Sequence, residues 1–384
     1  MSSGECRLER LRFRELHIPF KVAFRHASAE RAETSSVWVE AIAADGTIGC
    51  GESCPRPYVT GETPATARTF VLGHEATIRS KVTSVETLQQ WLEEHHDDID
   101  ASPAAWCAVE LALLDLFGKR QRTPVEGLLS LPPLVGRFRY TAVLGDAPEG
   151  PFRAMAEQYW RLGFRDVKVK LSGDAGRDRT KMDVLRKWPP ESVRVRADAN
   201  NLWPGPDEAI SALRGLQYPL FAVEEPIGSN RHAELPRIAR ALGCRIVLDE
   251  SLVRREQLAL LDEPASQWIV NVRVSKMGGL IRSVRVVNEA RALGMGVIVG
   301  AQVGETSLLT RAGLTVAHAA GDGLVAQEGA FGTFLLERDV CDPPLMFGAG
   351  GVLDVSDHPN LTAAGLGTFS LETKSPEGPT KIHP

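Results

Sequence analysis

The chain has no run of Lys and Arg that could grip a nucleic-acid backbone or an anionic membrane surface, and its formal net charge of −5 at pH 7 attracts neither. A small-molecule partner is therefore expected. No apolar stretch approaches the roughly 18 residues of a membrane span, and the first residues, MSSGECRLERLRFREL, are charged where a secretory leader would be apolar. These absences point to the cytoplasm, with neither nucleic acid nor membrane as partner; a homo-oligomer is expected. Cysteine is scattered: Cys6, Cys50, Cys54, Cys107, Cys244 and Cys341 include no C-x-x-C pair, and Cys50 with Cys54 lacks a second ligand pair at zinc spacing. They read as reduced structural thiols. What the chain does have is length and apolar content: at 384 residues and 43% hydrophobic it can bury a large core, enough for about two domains.

The first part reads as antiparallel strands followed by helices. In SSVWVEAIAADGTIGCGES two β-rich runs flank Asp45-Gly46, a hairpin dipeptide. PAAWCAVELALLDLFGKR carries apolar residues at helical spacing from Trp106 to Phe117. Beyond about residue 130 come eight short β-rich runs, at 138–145, 164–170, 193–200, 220–226, 244–250, 268–274, 296–302 and 323–329. Their starts lie 26, 29, 27, 24, 24, 28 and 27 residues apart, the length of one strand, one helix and two loops. Eight such units close into a (β/α)8 barrel. The expected class is α/β, a TIM-like barrel at 131–345 with an α+β capping domain at 1–130. The Gly- and Pro-rich tail, 346–384, loses the period and is expected to return to the cap.

Active sites of such barrels lie at the C-terminal ends of the strands, and here those ends are charged. The second run ends in Lys168-Val169-Lys170, the third holds Asp198, the fourth Glu224-Glu225, and the fifth ends in Asp249-Glu250. Strand alternation sends Lys168 and Lys170 to one face, so both ammonium groups are expected in the barrel mouth. Three converging carboxylates, Asp198, Glu224 and Asp249, would repel one another. A hard divalent ion resolves this, one Mg2+ per site with Mn2+ as its substitute. Helix capping accounts for any one of these acids but poorly for three in register beside K-x-K. A metal with lysines at its edge suits removal of a proton α to a carboxylate, because the ion offsets the charge of the enolate. Lys170 is then the base, and Lys168 the neighbouring cation that lowers its pKa.

The set KVK, DAN, EEP, DES and GG on consecutive strands resembles the enolase superfamily, and within it the muconate-lactonizing-enzyme subgroup of the mandelate racemase/muconate lactonizing enzyme family. The resemblance covers nearly the whole chain, including GCGESCPRPYVTGET and ALLDLFGKRQRTPVEGLLS in the first part. It implies Mg2+ on Asp198, Glu224 and Asp249, α-proton transfer by Lys170, and capping loops near Phe24 to His26 and Pro55 to Thr60 that touch the substrate. Candidate substrate-binding residues are His26, Arg25 and Tyr58, with Arg56 beside them, and Asn200, Gln302, Glu305 and Glu328 at the barrel mouth. Glu225, Glu250 and Lys276 are expected behind the residues that touch metal or substrate.

The sequence departs from the subgroup at the sixth strand. There the pattern resembles N-x-K-x-x-[KR]-x-G-G, whereas NVRVSKMGG puts Arg273 where the partner lysine stands and Lys276 at the later position. Alternation puts Arg273 with Asn271 toward the substrate, and Lys276 is expected to point away. A guanidinium is effectively always protonated, which argues against two-lysine racemisation. The D-x-D by which dipeptide epimerases of the subgroup hold a substrate ammonium corresponds here to Ala326-Gln327-Glu328, half of that grip. The His-Asp dyad of the mandelate-racemase subgroup is missing. The leading expectation is an Mg2+-dependent lyase, such as a dehydratase, or cycloisomerase of a small carboxylate, with Lys170 as the single base and Arg273 as a fixed cation. The alternatives are a racemase or epimerase of N-acyl amino acids or dipeptides, and a non-catalytic carboxylate-binding barrel.

Overall fold

The computed structural model describes residues 6–26, 29–189, 192–261 and 264–371, with the side chains of 22–26 and 29–31 outside the description. Eight parallel strands follow one another around a single sheet in chain order: Ala142–Leu144, Asp166–Lys170, Arg194–Asp198, Ala222–Glu224, Arg245–Leu248, Trp268–Val272, Gly296–Val299 and Leu324–Gln327. The backbone N–H of Thr141 donates to the carbonyl of Gln327 at 2.7 Å, which joins the first strand to the eighth and closes the barrel. Helices such as Glu149–Arg161, Leu280–Ala292 and Ser307–Ala320 cover its outside. The fifth unit departs from the expected pattern: its described residues carry a 3-10 helix, Arg255–Leu260, where an α-helix would stand.

The barrel interior changes character along the strands. Ala222, Val247, Ile269, Ile298 and Ala326, one from each of the fourth to eighth strands, form an apolar cluster of their own. Two residues further on stand Glu224, Asp249, Asn271, Gly300 and Glu328. A strand repeats its facing every second residue, so the inward face passes from an apolar floor to a polar ring within one repeat.

The run 138–145 is not one strand, as its composition had suggested. Arg137–Arg139 pairs antiparallel with Val352–Asp354 from the tail, and only Ala142–Leu144 enters the barrel. The sixth run likewise ends at Val272, and Val274–Met277 forms a short helix. Further along the tail, Leu366 N donates to Asp115 Oδ1 at 2.8 Å and Val125 N to the Gly365 carbonyl at 2.9 Å, so the tail contacts the N-terminal part.

The capping domain has a three-stranded antiparallel sheet, with Ser36–Ala43 between Leu8–Leu16 and Ile48–Ser53. The helix Pro103–Gln121 is buried all round from Pro103 to Gly118, which accounts for its nearly continuous apolar sequence. Buried acids fasten the cap to the barrel at helix N-termini, where unsatisfied N–H groups favour an anion. Glu110 accepts from Ile281 N at 3.0 Å, and Glu52 from Thr306 N at 3.0 Å. Gly279 shows how closely the parts meet: it has φ +102°, and a Cβ there would lie 2.3 Å from Glu110 Oε1. All six cysteines are free, and among the described residues no helix is long and apolar enough to cross a membrane.

Candidate active site

Strand register sets the first row of charges. Lys170 and Asp198 are direct cross-strand partners, as are Asp198 and Glu224, while Asp249 follows the fifth strand at once. Lys170 Nζ lies 2.9 Å from Asp198 Oδ2 and 3.0 Å from Asn200 Oδ1. Its side chain keeps 14% of its surface exposed, against 4% for Lys168. Lys168 Nζ stands 3.2 Å from both oxygens of Glu224, 2.9 Å from Glu328 Oε2 and 3.4 Å from Asp198 Oδ2. Burial opposes its charge, but Glu224, Glu328 and Asp198 outweigh it and raise its pKa. Three carboxylates thus keep Lys168 charged, and it shares Asp198 Oδ2 with Lys170. Asp198 is the mirror case: burial disfavours its anion, yet Lys170 and Lys168 hold its pKa below the ordinary carboxylate range.

Across the mouth, Arg273 Nη2 pairs with Asp249 Oδ2, and Arg273 Nη1 donates to Gln302 Oε1 at 3.1 Å. Asn271 Nδ2 donates to Glu224 Oε1 at 3.3 Å, so both residues of that face meet the polar ring. Lys276 does not turn away. The short helix brings its Nζ back to Asp249 Oδ1 at 3.0 Å and to the carbonyls of Asp249 and Asn271, both at 2.7 Å. Burial, with Arg273 nearby, pushes its pKa down to about 7.

Glu225 has a left-handed φ of +40°, a strained conformation for a non-glycine residue. Three hydrogen bonds secure its carboxylate: from Asp249 N at 2.6 Å, Ser251 N at 2.8 Å and Ser251 Oγ at 2.7 Å. The second acid of EEP therefore ties the fourth strand to the fifth directly behind Asp249. Glu250 is pushed up to about 7 by burial first and then by neighbouring acids. Glu305 accepts from Gln302 N at 2.6 Å, and burial pushes it up to about 7.

Several candidate substrate contacts take other places. Glu328 is engaged inside the barrel by Lys168 and by Arg196 Nη2 at 3.1 Å, rather than free to hold a substrate ammonium. Arg56 is fully buried and donates to the carbonyls of Ser35, Pro55 and Val303 at 2.7, 2.8 and 2.8 Å, so it fastens the cap loop. Tyr58 is 41% exposed. The side chains of Arg25 and His26 lie outside the described residues. Arg196 was not singled out from the sequence, although alternation in VRVRAD places it inward beneath Asp198. It is fully buried, and its Nη2 also donates to Thr141 Oγ1 at 2.9 Å.

The donor chemistry fits a hard divalent ion: Asp198, Glu224 and Asp249 come from adjacent strand ends, and Glu250 Oε2 and Asn271 Oδ1 nearby are buried oxygens without a hydrogen-bond partner. Among the described residues no three acidic, His or Cys side chains are grouped, as they stand, to hold an ion.

Residues 151–369 match the enolase C-terminal domain-like family. The chain belongs to the enolase superfamily. It is 28% identical to the L-Lys-D/L-Arg epimerase of Methylococcus capsulatus, over 89% of this chain and 94% of that protein. It is also similar to the crystal structure of a dipeptide epimerase from Methylococcus capsulatus complexed with Mg and L-Arg-D-Lys, with a TM-score of 0.79, 26% identity and coverage of 94% of this chain and 99% of that one. The muconate lactonizing enzyme of Pseudomonas fluorescens shares the fold, with a TM-score of 0.82, 23% identity and coverage of 94% and 96%. As a member of this superfamily the chain is a metal-dependent enzyme of the isomerase or lyase kind.

Proposed function

We propose that the protein is an Mg2+-dependent isomerase that exchanges the α-proton of a dipeptide or other N-acylated amino acid. Asp198, Glu224 and Asp249 hold the ion, Lys170 is the acid/base on one face of the substrate, and Arg273 stands on the other. When bound, Mg2+ supplies a Lewis acid that offsets charge on the substrate carboxylate as the proton leaves. The capping unit of this reading is 1–130 with 346–384, over a barrel of 131–345. The observation that carries it is the pair of cations at the row's two ends, Lys170 on Asp198 and Arg273 on Asp249. The substrate class rests on the relatives named as epimerases and as an N-succinyl-amino-acid racemase, which is why the lyase or cycloisomerase expectation stands second.

That second reading keeps support from Arg273. A guanidinium can donate a proton to an enolate carbon, but recovering one as a base demands the neutral form, which is scarce at any ordinary pH. A reaction that needs only Lys170 avoids this step. Proton NMR in 2H2O, with Mg2+ and a panel of dipeptides and N-acyl amino acids, separates the two. Epimerisation puts deuterium at Cα of both stereoisomers; a one-base enzyme exchanges one stereoisomer or releases an elimination or lactone product. Retention of the α-proton across the panel, with no product, would overturn both for this substrate class.

A further inference from the structure

A groove of about 750 Å³ lies at the end of the barrel opposite the charged mouth, and Arg245, Ser266, Asn288, Arg291 and Asp322 help to line it. Arg245 opens the fifth strand, which Asp249 follows, and Val325 of the same lining lies near the start of the eighth strand, which Glu328 follows. The two ends of the same strands therefore separate the groove from the mouth. Its size falls in the roughly 300–1,000 Å³ range of small-ligand sites.

The two arginines are held in place by their surroundings. Arg245 Nη2 donates to the Trp268 carbonyl at 2.9 Å, and Arg291 Nη1 to the Ala319 carbonyl at 2.8 Å. Each also occupies room left by a glycine: a Cβ on Gly296 would lie 2.6 Å from Arg245 Nη2, and one on Gly323 would lie 2.7 Å from Arg291 Cγ. Among the described residues neither arginine forms an ion pair with an acid, and Arg245 Nε is buried without an acceptor. A third guanidinium stands close to Arg245: Arg194 Cζ lies 4.8 Å from the centroid of the Phe221 ring and Arg245 Cζ 6.0 Å from it. Arg194 has Asp166 as its partner at 2.7 Å. Burial and the repulsion of Arg194 lower the pKa of Arg245, a cost that an anion would relieve.

We propose that this groove binds a small oxyanion, a carboxylate or phosphate, between Arg245 and Arg291, with Ser266 and Asn288 as neutral hydrogen-bonding groups and Asp322 as the one acid of the lining, outnumbered by the two arginines. Fixed guanidinium groups with unspent N–H donors suit such a ligand, because little side-chain freedom remains to be lost on binding. The test is calorimetric titration of the full chain, without Mg2+, with inorganic phosphate and separately with acetate. Saturable binding of one of them is expected, weakened about tenfold or more by Arg245→Met and by Arg291→Met and unchanged by Lys170→Met. Which anion binds more tightly assigns the ligand class. Arg291 is exposed, so its variant provides the test even if Arg245→Met folds poorly. Absence of saturable binding for both anions, binding indifferent to Arg291→Met, or binding lost in Lys170→Met would overturn the proposal.

Discussion

The two sides of the barrel mouth hold their cations in unlike ways. On the side of the second to fourth strands, Lys170 ends a flexible four-carbon stem, keeps part of its surface exposed, and has Asp198 and Asn200 as hydrogen-bond partners. On the side of the sixth and seventh strands, Arg273 is set between Asp249 and Gln302, and the loops around it are fastened from the cap. Cys54 N donates to Ser275 Oγ at 2.9 Å, Arg56 to the Val303 carbonyl at 2.8 Å, and Glu52 accepts from Thr306 N at 3.0 Å. Cys54, Arg56 and Glu52 alternate along one stretch of chain, so a single cap segment grips both loops. On the proposed reading, Lys170 moves a proton on one side and Arg273 holds its charge in place on the other.

The largest expected effect follows from removing the movable group. Lys170→Met should lower α-proton exchange by about 10²–10⁴-fold, the usual contribution of a positioned acid/base, while the protein still binds Mg2+. Exchange rates by NMR and metal affinity by calorimetry check this together. Exchange at the parent's rate in Lys170→Met would remove the distinction between the sides.

A smaller loss is expected on the fixed side. Arg273→Met removes a charge-stabilising donor and should reduce turnover by about 10²-fold. Arg273→Lys keeps a cation but replaces the guanidinium with a group that can also act as a base. It should speed exchange on the second face of the substrate, seen as faster entry of deuterium into the stereoisomer that the parent labels more slowly. Equal labelling of both stereoisomers by the parent, unchanged in Arg273→Lys, would mean that Arg273 already works as a second base and that the two sides are alike in function.

Much of this asymmetry was legible in the sequence because it depends on local periodicity. The repeat of two along each strand gave the inward direction of Lys168 and Lys170, position at strand ends gave Asp198 and Glu224, and the spacing of the runs gave their order around the barrel. Partner choice was harder to read. Glu328 is met by Lys168 from 160 residues away, and Lys276 is brought onto Asp249 by a single helical turn, neither of which the strand pattern encodes. The first strand was overrun for a similar reason: 137–139 is as β-prone as 142–144, but a tail strand more than 200 residues later captures it. The reaction outcome is less legible still, since lysine and arginine at position 273 differ in the proton transfers they allow but share one strand pattern.

The smallest expected effect concerns how the fixed side is fastened. Burial pushes Glu52 up to about 8 and Glu110 up to about 7, from an ordinary value of 4.5 for each, although the N–H groups around them favour the anion. The folded chain therefore keeps a proton on Glu52 between about pH 4.5 and 8 that the unfolded chain has released. Where the folded state binds more protons, stability falls as pH rises; a single group contributes at most about 1.4 kcal/mol per pH unit. Glu110 acts in the same direction over 4.5 to 7. In Glu52→Gln the amide keeps nearly the shape of the neutral acid but cannot ionise, so its share of the slope disappears. Urea midpoints at pH 5, 6.5 and 8.5 should then fall less for Glu52→Gln than for the parent, with the difference growing toward high pH. Parallel curves would show that Glu52 is ionised throughout, and that the cap is held to the seventh-strand loop by a charged helix cap instead of a neutral hydrogen bond.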